Sequence, residues 1–416
     1  MHDIDCVILG AGCAGLFMAE ALSSKGATCL VIDDAPAAHA STKNQGWLQT
    51  GAFYASINKP LAAQECWAGY NELTDRFPEA IHKQVRAYAL FTTKTSLNKL
   101  IERCTLTGIP IDDISDADTA DIQNDCPLLK GTTFEYIAAL HDHPFNSAAL
   151  LTELASELDG NLVSFWSSSS PIPPVCRFTH SGWEVSLPGK EQIHAVSLVL
   201  ACGAYSGHAI GRILPELQTR PLINKAVILT LSCSGPPISS CILTAPLTVY
   251  PAGRYPAIVP FFNKEGTSII GANVYLEEKL ASHARNSALP RPVSDYANQL
   301  QGFFPGLVNF VGMEDREVKA HFYVCHALQD SYRIEWHVPE RNLTVFSPGR
   351  FTASPVAAQK CAETILRDVS SRAPRHAKMP TPSDELEIPV QPYFDTPSYR
   401  LDVLNDFLIF DELAGS

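Results

Sequence analysis

The residues with the clearest chemistry lie near the amino terminus, where glycines occur at positions 10, 12 and 15. The spacing Gly-x-Gly-x-x-Gly suits a tight turn whose backbone N–H groups approach a pyrophosphate, because glycine places no side chain in the way. A carboxylate at position 33 can accept hydrogen bonds from ribose hydroxyls. The predicted dinucleotide contacts are Gly10, Gly12, Cys13, Ala14, Gly15 and Asp33.

A strand, a turn, a helix and a second strand are needed to position these groups. Residues 4–9 form an apolar run of strand length, an Ala-, Leu- and Met-rich stretch follows the glycines, and a second apolar run ends at Asp33. In such a βαβ unit the pyrophosphate lies at the helix N-terminus, where unpaired N–H groups and the helix dipole favour an anion. The pattern therefore predicts a nucleotide-binding unit.

Residues 41–54 form a second candidate segment, in which small hydroxyl residues precede alternating glycines. Small side chains are needed where a ligand lies against the backbone. The segment could thus wrap a second phosphate and pass beneath a flat ring, although an ordinary polar loop would have a similar composition.

A later apolar run, residues 193–200, leads to Gly203. This glycine would lie at the carboxyl end of a strand, which is where open α/β sheets bind ligands. FAD enzymes commonly have such a second glycine-ended strand, whereas NAD enzymes do not need one. The run therefore favours FAD, and an NAD-dependent dehydrogenase is the alternative.

Two further segments carry polar groups. Residues 343–346 read as a strand and lead through residues 347–355 into a helix over 356–369, which makes either an anion site at the helix N-terminus or a plain helix cap. His141, Asp142 and His143 could suggest a metal, but no third and fourth ligand is spaced to complete the site, so no metal is predicted.

Composition limits the class of protein. The chain has 416 residues, of which 46% are hydrophobic, and a formal net charge of −13, which disfavours nucleic acid or an anionic membrane as a partner. Twelve cysteines occur without a Cys-x-x-Cys pair, which indicates reduced thiols and a cytoplasmic location. The first strand begins close to Met1 and no apolar run reaches membrane-spanning length, so we expect neither a cleavable signal nor an integral membrane segment.

A helix is expected over residues 60–76 and a strand over residues 161–165. The chain turns β-rich after residue 225, which indicates an antiparallel sheet inserted into the nucleotide unit. A helix over 292–303 is expected to interrupt this sheet, and strands over 317–324 and 332–337 to resume it. The predicted fold class is α/β (α+β overall), a Rossmann-like FAD-binding domain with an inserted, mainly antiparallel substrate domain. The expected FAD-binding domain comprises residues 1–80, 141–215 and 338–372, and the substrate domain residues 81–140 and 216–337. Residues 373–416 are expected to form a linker and an amphipathic helix over 398–413, which docks on its own body or on a partner.

Residues 3–369 resemble the D-amino-acid oxidase-like superfamily of FAD-dependent oxidoreductases, and within it the L-2-hydroxyglutarate oxidase/dehydrogenase branch. The residues that match the motifs of that branch are Thr42, Asn44, Gly46, Gly51, Tyr54, Lys59, Pro60, Cys66, Gly69, Ser347, Pro348 and Thr352.

The resemblance implies roles for residues beyond the first glycines. Ser41 and Thr42 would lie on the phosphates, with Gln45 and Gly46 following in the same cofactor segment. Val163 would lie near the adenine. The late loop, formed by Gly349, Arg350, Phe351 and Thr352, would face the pyrimidine edge of the flavin.

The departures from that branch bear on the substrate. The branch's histidine falls on Gln49, and an amide cannot act as a general base. An alcohol gives up hydride only when a base removes its proton, whereas a neutral amine uses its own lone pair. His326 is the candidate replacement base or else a structural histidine. Among Arg254, Arg333 and Arg350, which could each bind a substrate carboxylate, Arg350 is favoured because it lies in the late loop.

These observations predict an FAD-dependent oxidoreductase that oxidises a CH–NH or CH–OH carbon of a small polar substrate. Its candidate catalytic residues are Gln49, His326 and Arg350. Electrons would pass to oxygen, a quinone or another carrier. The alternatives are an NAD-dependent dehydrogenase and a catalytically idle flavin-binding protein.

Overall fold

The computed structural model of the chain describes two large sheets, a two-stranded sheet and the helices that pack against them. The described residues are 2–33, 41, 46–114, 121–123, 129, 131, 134–167, 174–187, 189–190, 192–203, 206–213, 224–234, 240–244, 257–261, 267–276, 318–327, 333–370 and 399–401.

The elements alternate between strands and helices in the first half of the chain. The helices are α1 (Cys13–Ser23), α2 (Ala52–Ser56), α3 (Pro60–Arg76), α4 (Lys94–Thr107), α5 (Ser147–Glu157), α6 (Ser206–Ile213) and α7 (Ser354–Ser370). The strands are β1 (His2–Leu9), β2 (Cys29–Asp33), β3 (Trp47–Leu48), β4 (Arg86–Phe91), β5 (Ile111–Asp113), β6 (Tyr136–Leu140), β7 (His143–Pro144), β8 (Val163–Ser167), β9 (Val175–Thr179), β10 (Gly182–Ser186), β11 (Ile193–Leu200), β12 (Asn224–Ser234), β13 (Ser240–Thr244), β14 (Ala257–Phe261), β15 (Thr267–Leu276), β16 (Val318–Ala327), β17 (Ile334–Val338), β18 (Leu343–Ser347) and β19 (Tyr399–Leu401).

The first sheet has the order β17-β18-β11-β1-β2-β8. Its strands from β18 to β8 are parallel, and β9 and β10 form an antiparallel meander on β11. β1 and β2 are almost continuously apolar, as expected for strands that are buried on both faces. One face packs against α1, and the other packs into the core that includes residues of β10. The predicted βαβ unit and the α/β fold class are confirmed.

The second sheet has the order β19-β16-β12-β15-β14-β13-β4-β6-β5 and is antiparallel apart from the β13–β4 pair. Strands from residues 86–140 thus join strands from residues 224–327, as the pattern of an inserted sheet predicts. In this sheet His326 of β16 stands opposite Lys225 of β12.

Two element predictions were wrong. The strand near residues 332–337 was expected in the second sheet, yet β17 pairs antiparallel with β18 in the first. A single 3-10 turn at Pro339–Arg341 joins the two, so the nearest available edge is the neighbouring strand. In the tail, residues 399–401 form β19 against β16 rather than a helix, because the edge of β16 offers unpaired backbone groups. The remainder of that predicted helix, and the helix predicted over 292–303, lie outside the described residues.

Close backbone approaches fix the helices over the first sheet. A side chain on Gly15 would overlap the carbonyl oxygen of Gly10, and one on Gly69 of α3 would overlap that of Thr352. At the outer ends of α1, α3 and α5, the guanidinium of Arg76 binds Glu20 and Glu157. Within the described ranges, every helix is too short or too polar to cross a membrane.

The Gly69 contact leads to a first prediction. In Gly69→Ala the new methyl group meets a backbone carbonyl, which cannot rotate away, so α3 or the late loop must shift. We expect the free energy of unfolding to fall by about 1–3 kcal/mol, measured by urea denaturation. Gly160→Ala is the control, since nothing lies within 4 Å of the added carbon. Equal stability of the two variants would contradict the packing described.

Candidate cofactor and substrate site

The glycine turn after β1 is held to both neighbouring strands. The N–H of Gly10 donates to the carbonyl of Ile32 at 2.7 Å, and the N–H of Ala11 donates to Oδ2 of Asp33. Gly10 has φ +108°, and a Cβ there would lie 2.6 Å from the carbonyl oxygen of Ala201. Glycine is therefore required at this position, and Asp33 anchors the turn as well as marking the end of β2.

The N-terminus of α1 is open to a ligand. Its N-cap residue, Gly12, provides no side-chain cap, and the Cys13 N–H donates to Oγ of Ser41 at 3.0 Å. A Cβ on Gly12 would lie 2.9 Å from that hydroxyl oxygen and 3.8 Å from Cβ of Ser41, and within 4 Å it would meet no other described residue. Backbone donors, a helix dipole and a hydroxyl thus lie together, a combination that suits the pyrophosphate of a dinucleotide.

A second helix begins at the same place. The thiol of Cys13 contacts the hydroxyl groups of Ser41 and of Ser354, the first residue of α7. Burial raises the pKa of this thiol, so it stays neutral at pH 7. The N-termini of α1 and α7 therefore converge, and their dipoles add at the proposed phosphate position.

The other predicted cofactor residues divide into three groups. Gly203 follows β11 with φ +53° and open space around it, and Gly46 is buried with φ +65°. Thr42 and Gln45 lie outside the described residues. The structure does not bring Val163 to the nucleotide edge: β8 begins there, opposite Cys29.

The position of Val163 follows from the strand register. The sequence predicted a strand over residues 161–165, but β8 runs two residues later and ends at Ser167, directly opposite Asp33. The carboxyl end of β8 therefore lies beside the carboxylate of Asp33, whereas Val163 is buried at the opposite end of the strand.

The late loop meets the segment that follows β3. The N–H of Gln49 donates to Oγ1 of Thr352 at 3.2 Å, and the guanidinium carbon of Arg350 lies 5.2 Å from the ring centroid of Tyr54. We call Gln49, Tyr54, Arg350 and Thr352 the loop cluster. It brings together the two predicted catalytic residues, Gln49 and Arg350, that have described side chains.

Two polar groups of the loop cluster, the amide oxygen of Gln49 and the guanidinium of Arg350, can bind further polar partners. Oε1 of Gln49 is buried and accepts no hydrogen bond from any described residue. Arg350 donates to the carbonyl of Gly349 at 3.3 Å, and in the described part of the chain no carboxylate lies within ion-pair distance of its guanidinium. Burial lowers the pKa of Arg350 to about 10, so it remains a cation at neutral pH. A partly buried cation and a buried acceptor of this kind suit a ligand that has both an anion and a hydrogen-bond donor.

Packing fixes the rest of the late loop. The ring of Phe351 makes edge contacts with Phe145 at 4.8 Å and Phe17 at 6.5 Å between ring centroids. Gly349 has φ +77°, a left-handed conformation that favours glycine. The loop is thus anchored on either side of Arg350.

Asp142 anchors the segment that bears Gln49, a role that the sequence did not indicate. Its Oδ1 accepts hydrogen bonds from the N–H and hydroxyl of Thr50, and Oδ2 accepts from Nε1 of Trp47 at 2.9 Å. The two neighbouring histidines point elsewhere: Nδ1 of His143 lies 3.2 Å from the Val85 carbonyl, and His141 lies against Asp112. The side chains of His141, Asp142 and His143 thus have separate partners.

The remaining candidates are not part of the loop cluster. Arg333 is ion-paired with Glu65 at 2.8 Å and Glu335 at 3.0 Å, which disfavours it as a substrate-carboxylate ligand. Arg254 lies outside the described residues. The backbone of His326 is placed on β16, and its role as a base stays a prediction.

Asp142→Asn tests the anchoring role. An amide offers one acceptor oxygen, and its NH₂ group would face the N–H donors of Trp47 or Thr50. We therefore expect the free energy of unfolding at pH 7 to fall by about 1–3 kcal/mol. Asp112→Asn is the control, because the Asp112 carboxylate is exposed, and its effect should stay within about 0.5 kcal/mol. Urea denaturation measures both.

The pH dependence of the same variant is a separate prediction. Burial outweighs the hydrogen bonds and raises the pKa of Asp142, so the folded protein keeps this proton to a higher pH than the unfolded chain. The carboxyl group's contribution to stability is then largest below the unfolded pKa of about 3.9 and is lost as the pH rises through the folded value. The stability difference between wild type and Asp142→Asn should therefore narrow with rising pH over that interval, and a widening difference would contradict it.

Comparison with solved structures identifies similar folds. Glycine oxidase from Geobacillus kaustophilus has a TM-score of 0.62 at 16% identity, covering 88% of this chain and 95% of that one. L-proline dehydrogenase from P. horikoshii has a TM-score of 0.66 at 13% identity, with 88% and 94% covered. L-amino acid deaminase from Proteus vulgaris, with its specific insertion sequence deleted, has a TM-score of 0.59 at 16% identity, with 88% and 90% covered.

The sequence itself also matches a family. No curated protein matches the chain. Residues 5–364, however, match the sequence model of the family described as DAO, FAD dependent oxidoreductase. That match covers well over half of the chain, which therefore belongs to the DAO family of FAD-dependent oxidoreductases.

Proposed function

We propose that this enzyme oxidises the CH–NH carbon of a small amine that carries a carboxylate, and that Arg350 binds the carboxylate. Family membership establishes an FAD-dependent oxidoreductase, which decides against the NAD-dependent and idle alternatives. The observation that carries the substrate proposal is the partly buried guanidinium of Arg350, which faces no carboxylate in the described chain.

The cofactor would be held at the two helix N-termini. The open α1 terminus at Gly12, the Ser41 hydroxyl and the start of α7 fit the pyrophosphate, and Asp33 fits the adenosine ribose. The late loop would border the flavin ring. Bound FAD supplies the acceptor for the two electrons and the hydrogen of the substrate carbon.

The loop cluster can orient such a substrate. The guanidinium of Arg350 can bind a carboxylate through two N–H groups, and Oε1 of Gln49 can accept a hydrogen bond from the substrate nitrogen. Gln49 cannot remove a proton, but a neutral amine needs no base because its lone pair assists loss of hydride. The arrangement therefore favours an amine over an alcohol.

The similar structures support the same class of substrate. Their names describe enzymes that act on glycine, L-proline and L-amino acids, which all combine an amine with a carboxylate. Their identities to this chain are low, so the support is for the class and not for one compound.

A 2-hydroxy acid is the second candidate. It is favoured by the motif that resembles the L-2-hydroxyglutarate oxidase/dehydrogenase branch, including Lys59, Pro60, Cys66 and Gly69. An alcohol requires an enzymic base. Since Gln49 cannot serve, this candidate depends on His326.

Other parts of the prediction remain proposals of the same kind. We propose that the chain divides into an FAD-binding domain and a substrate domain. We also propose that oxygen, a quinone or another carrier accepts the electrons, and that the enzyme is cytoplasmic. Whether the C-terminal tail binds a partner is also open to test, and its residues 399–401 already pair with β16 of the chain itself.

Anaerobic flavin reduction tests the role of Arg350. Replacing Arg350 with Met removes the charge while keeping a long side chain, so binding of a carboxylate-bearing amine should weaken by about 1.5–3 kcal/mol, or roughly 10- to 150-fold. Arg367→Met, which removes an exposed arginine of α7, is the control and should bind as wild type. Wild-type binding by Arg350→Met would remove this residue from the substrate site.

The pH profile of flavin reduction separates the two substrate classes. With an amine, the reduction rate should rise with pH as the substrate's ammonium loses its proton, and His326→Ala should leave the profile nearly unchanged. With a hydroxy acid, His326→Ala should slow reduction by roughly 10²–10⁴-fold, the usual effect of a general base. Reduction by hydroxy acids with the second outcome would overturn the amine proposal.

The cofactor position is tested by Gly12→Val. Its branched side chain would fill the space beside Ser41 that suits the pyrophosphate, so the purified variant should lack bound FAD. Gly160→Val, at a site with no neighbour within 4 Å, should keep it. Flavin absorbance per chain measures both, and full FAD content in Gly12→Val would refute the assignment.

A further inference from the structure

The strand β17 presents polar groups to the buried face of the helix α7. Its residues 334, 336 and 338 pack on the meander side of the sheet, together with Trp183. Glu335 and His337 occupy the alternate positions and therefore point to the other face. There they meet Cys361 of α7, a fully buried cysteine whose thiol hydrogen-bonds with Glu335.

The three side chains form a compact donor set. Nε2 of His337 lies 3.1 Å from Oε1 of Glu335, and these atoms and Sγ of Cys361 all lie within 4.8 Å of one another. Ligands of a tetrahedral zinc ion, at about 2.0–2.3 Å from the metal, are separated from each other by about 3–4 Å. Small side-chain movements would thus place all three on one ion.

Neighbouring groups orient the donors. Nδ1 of His337 lies 3.0 Å from Oγ1 of Thr344, which directs Nε2 toward the cluster. Nη2 of Arg333 lies 3.0 Å from Oε2 of Glu335, which directs Oε1 there too. Partners of this kind commonly fix the ligands of protein metal sites.

We propose that Glu335, His337 and Cys361 bind one Zn²⁺ ion, separate from the flavin site. A set of one oxygen, one nitrogen and one sulfur suits zinc rather than magnesium or calcium, which prefer oxygen alone. On binding, a sulfur–zinc bond replaces the S–H bond of Cys361 and the proton passes to solvent, while water fills the fourth position. The ion would join β17 to α7, the two elements that flank β18 and the late loop.

Equilibrium dialysis of the FAD-loaded protein against zinc chloride tests this site, with zinc and FAD measured in the same sample. Wild type should hold one zinc ion per chain, and zinc should raise its melting temperature. Cys361→Ala and His337→Ala should each bind zinc at least about tenfold more weakly. Cys104→Ala, which removes an equally buried cysteine in α4, is the matched control and should bind as wild type.

Glu335→Gln is a further variant for the case that an alanine variant does not fold. Glutamine keeps the size of the side chain but binds the metal more weakly, so zinc binding should weaken in this variant too. Bound FAD in every variant reports that the fold is intact. Failure of wild type to take up zinc, or uptake by Cys361→Ala equal to that of Cys104→Ala, would overturn the proposal. Either result would leave the flavin chemistry untouched.

Discussion

The late loop can hold the partly buried guanidinium of Arg350 in place because its backbone is fixed from two sides. On one side Gly69 of α3 lets that helix lie against the carbonyl of Thr352, and on the other the N–H of Gln49 donates to the Thr352 hydroxyl. Asp142 in turn anchors the segment that bears Gln49. These contacts fix Arg350 relative to Gln49, so the site is organised before a ligand arrives.

Magnitudes explain why an anion is the expected ligand. Removing a charge from water without a partner costs several kcal/mol. The contact of Arg350 with Tyr54 offsets about 0.5–2 kcal/mol of this, and a bond to a neighbouring carbonyl adds about as much. Under the proposed function a carboxylate of the substrate would balance the rest, and charge would then be the main determinant of selectivity.

Features that depend on local spacing were predictable from the sequence. The glycine turn and the helix at Pro60–Arg76 follow from short-range patterns, and both occur as expected. Pairings between distant residues were not predictable in this way. Asp142 meets Trp47, which lies far away in the chain, and the position of Val163 depends on a strand shift of two residues.

The polar cluster at β17 is another contact between distant residues that the sequence does not predict. Glu335 and His337 are two residues apart, which is a common spacing on any strand, and nothing in the sequence links them to Cys361. The link appears only once β17 is paired with β18 and α7 lies on the same face. Sequence patterns therefore predicted the cofactor turn better than the sites made by tertiary contacts.

The central proposal, that Arg350 of the late loop binds a carboxylate beside the flavin, can be tested without turnover. The wild-type enzyme with oxidised FAD is titrated with propionate and, separately, with propionamide, which has the same shape and no charge. Propionate is expected to change the visible flavin spectrum in a saturable manner, and propionamide to leave it unchanged at the same concentrations. Equal spectral changes with both compounds, or none with propionate, would contradict the claim.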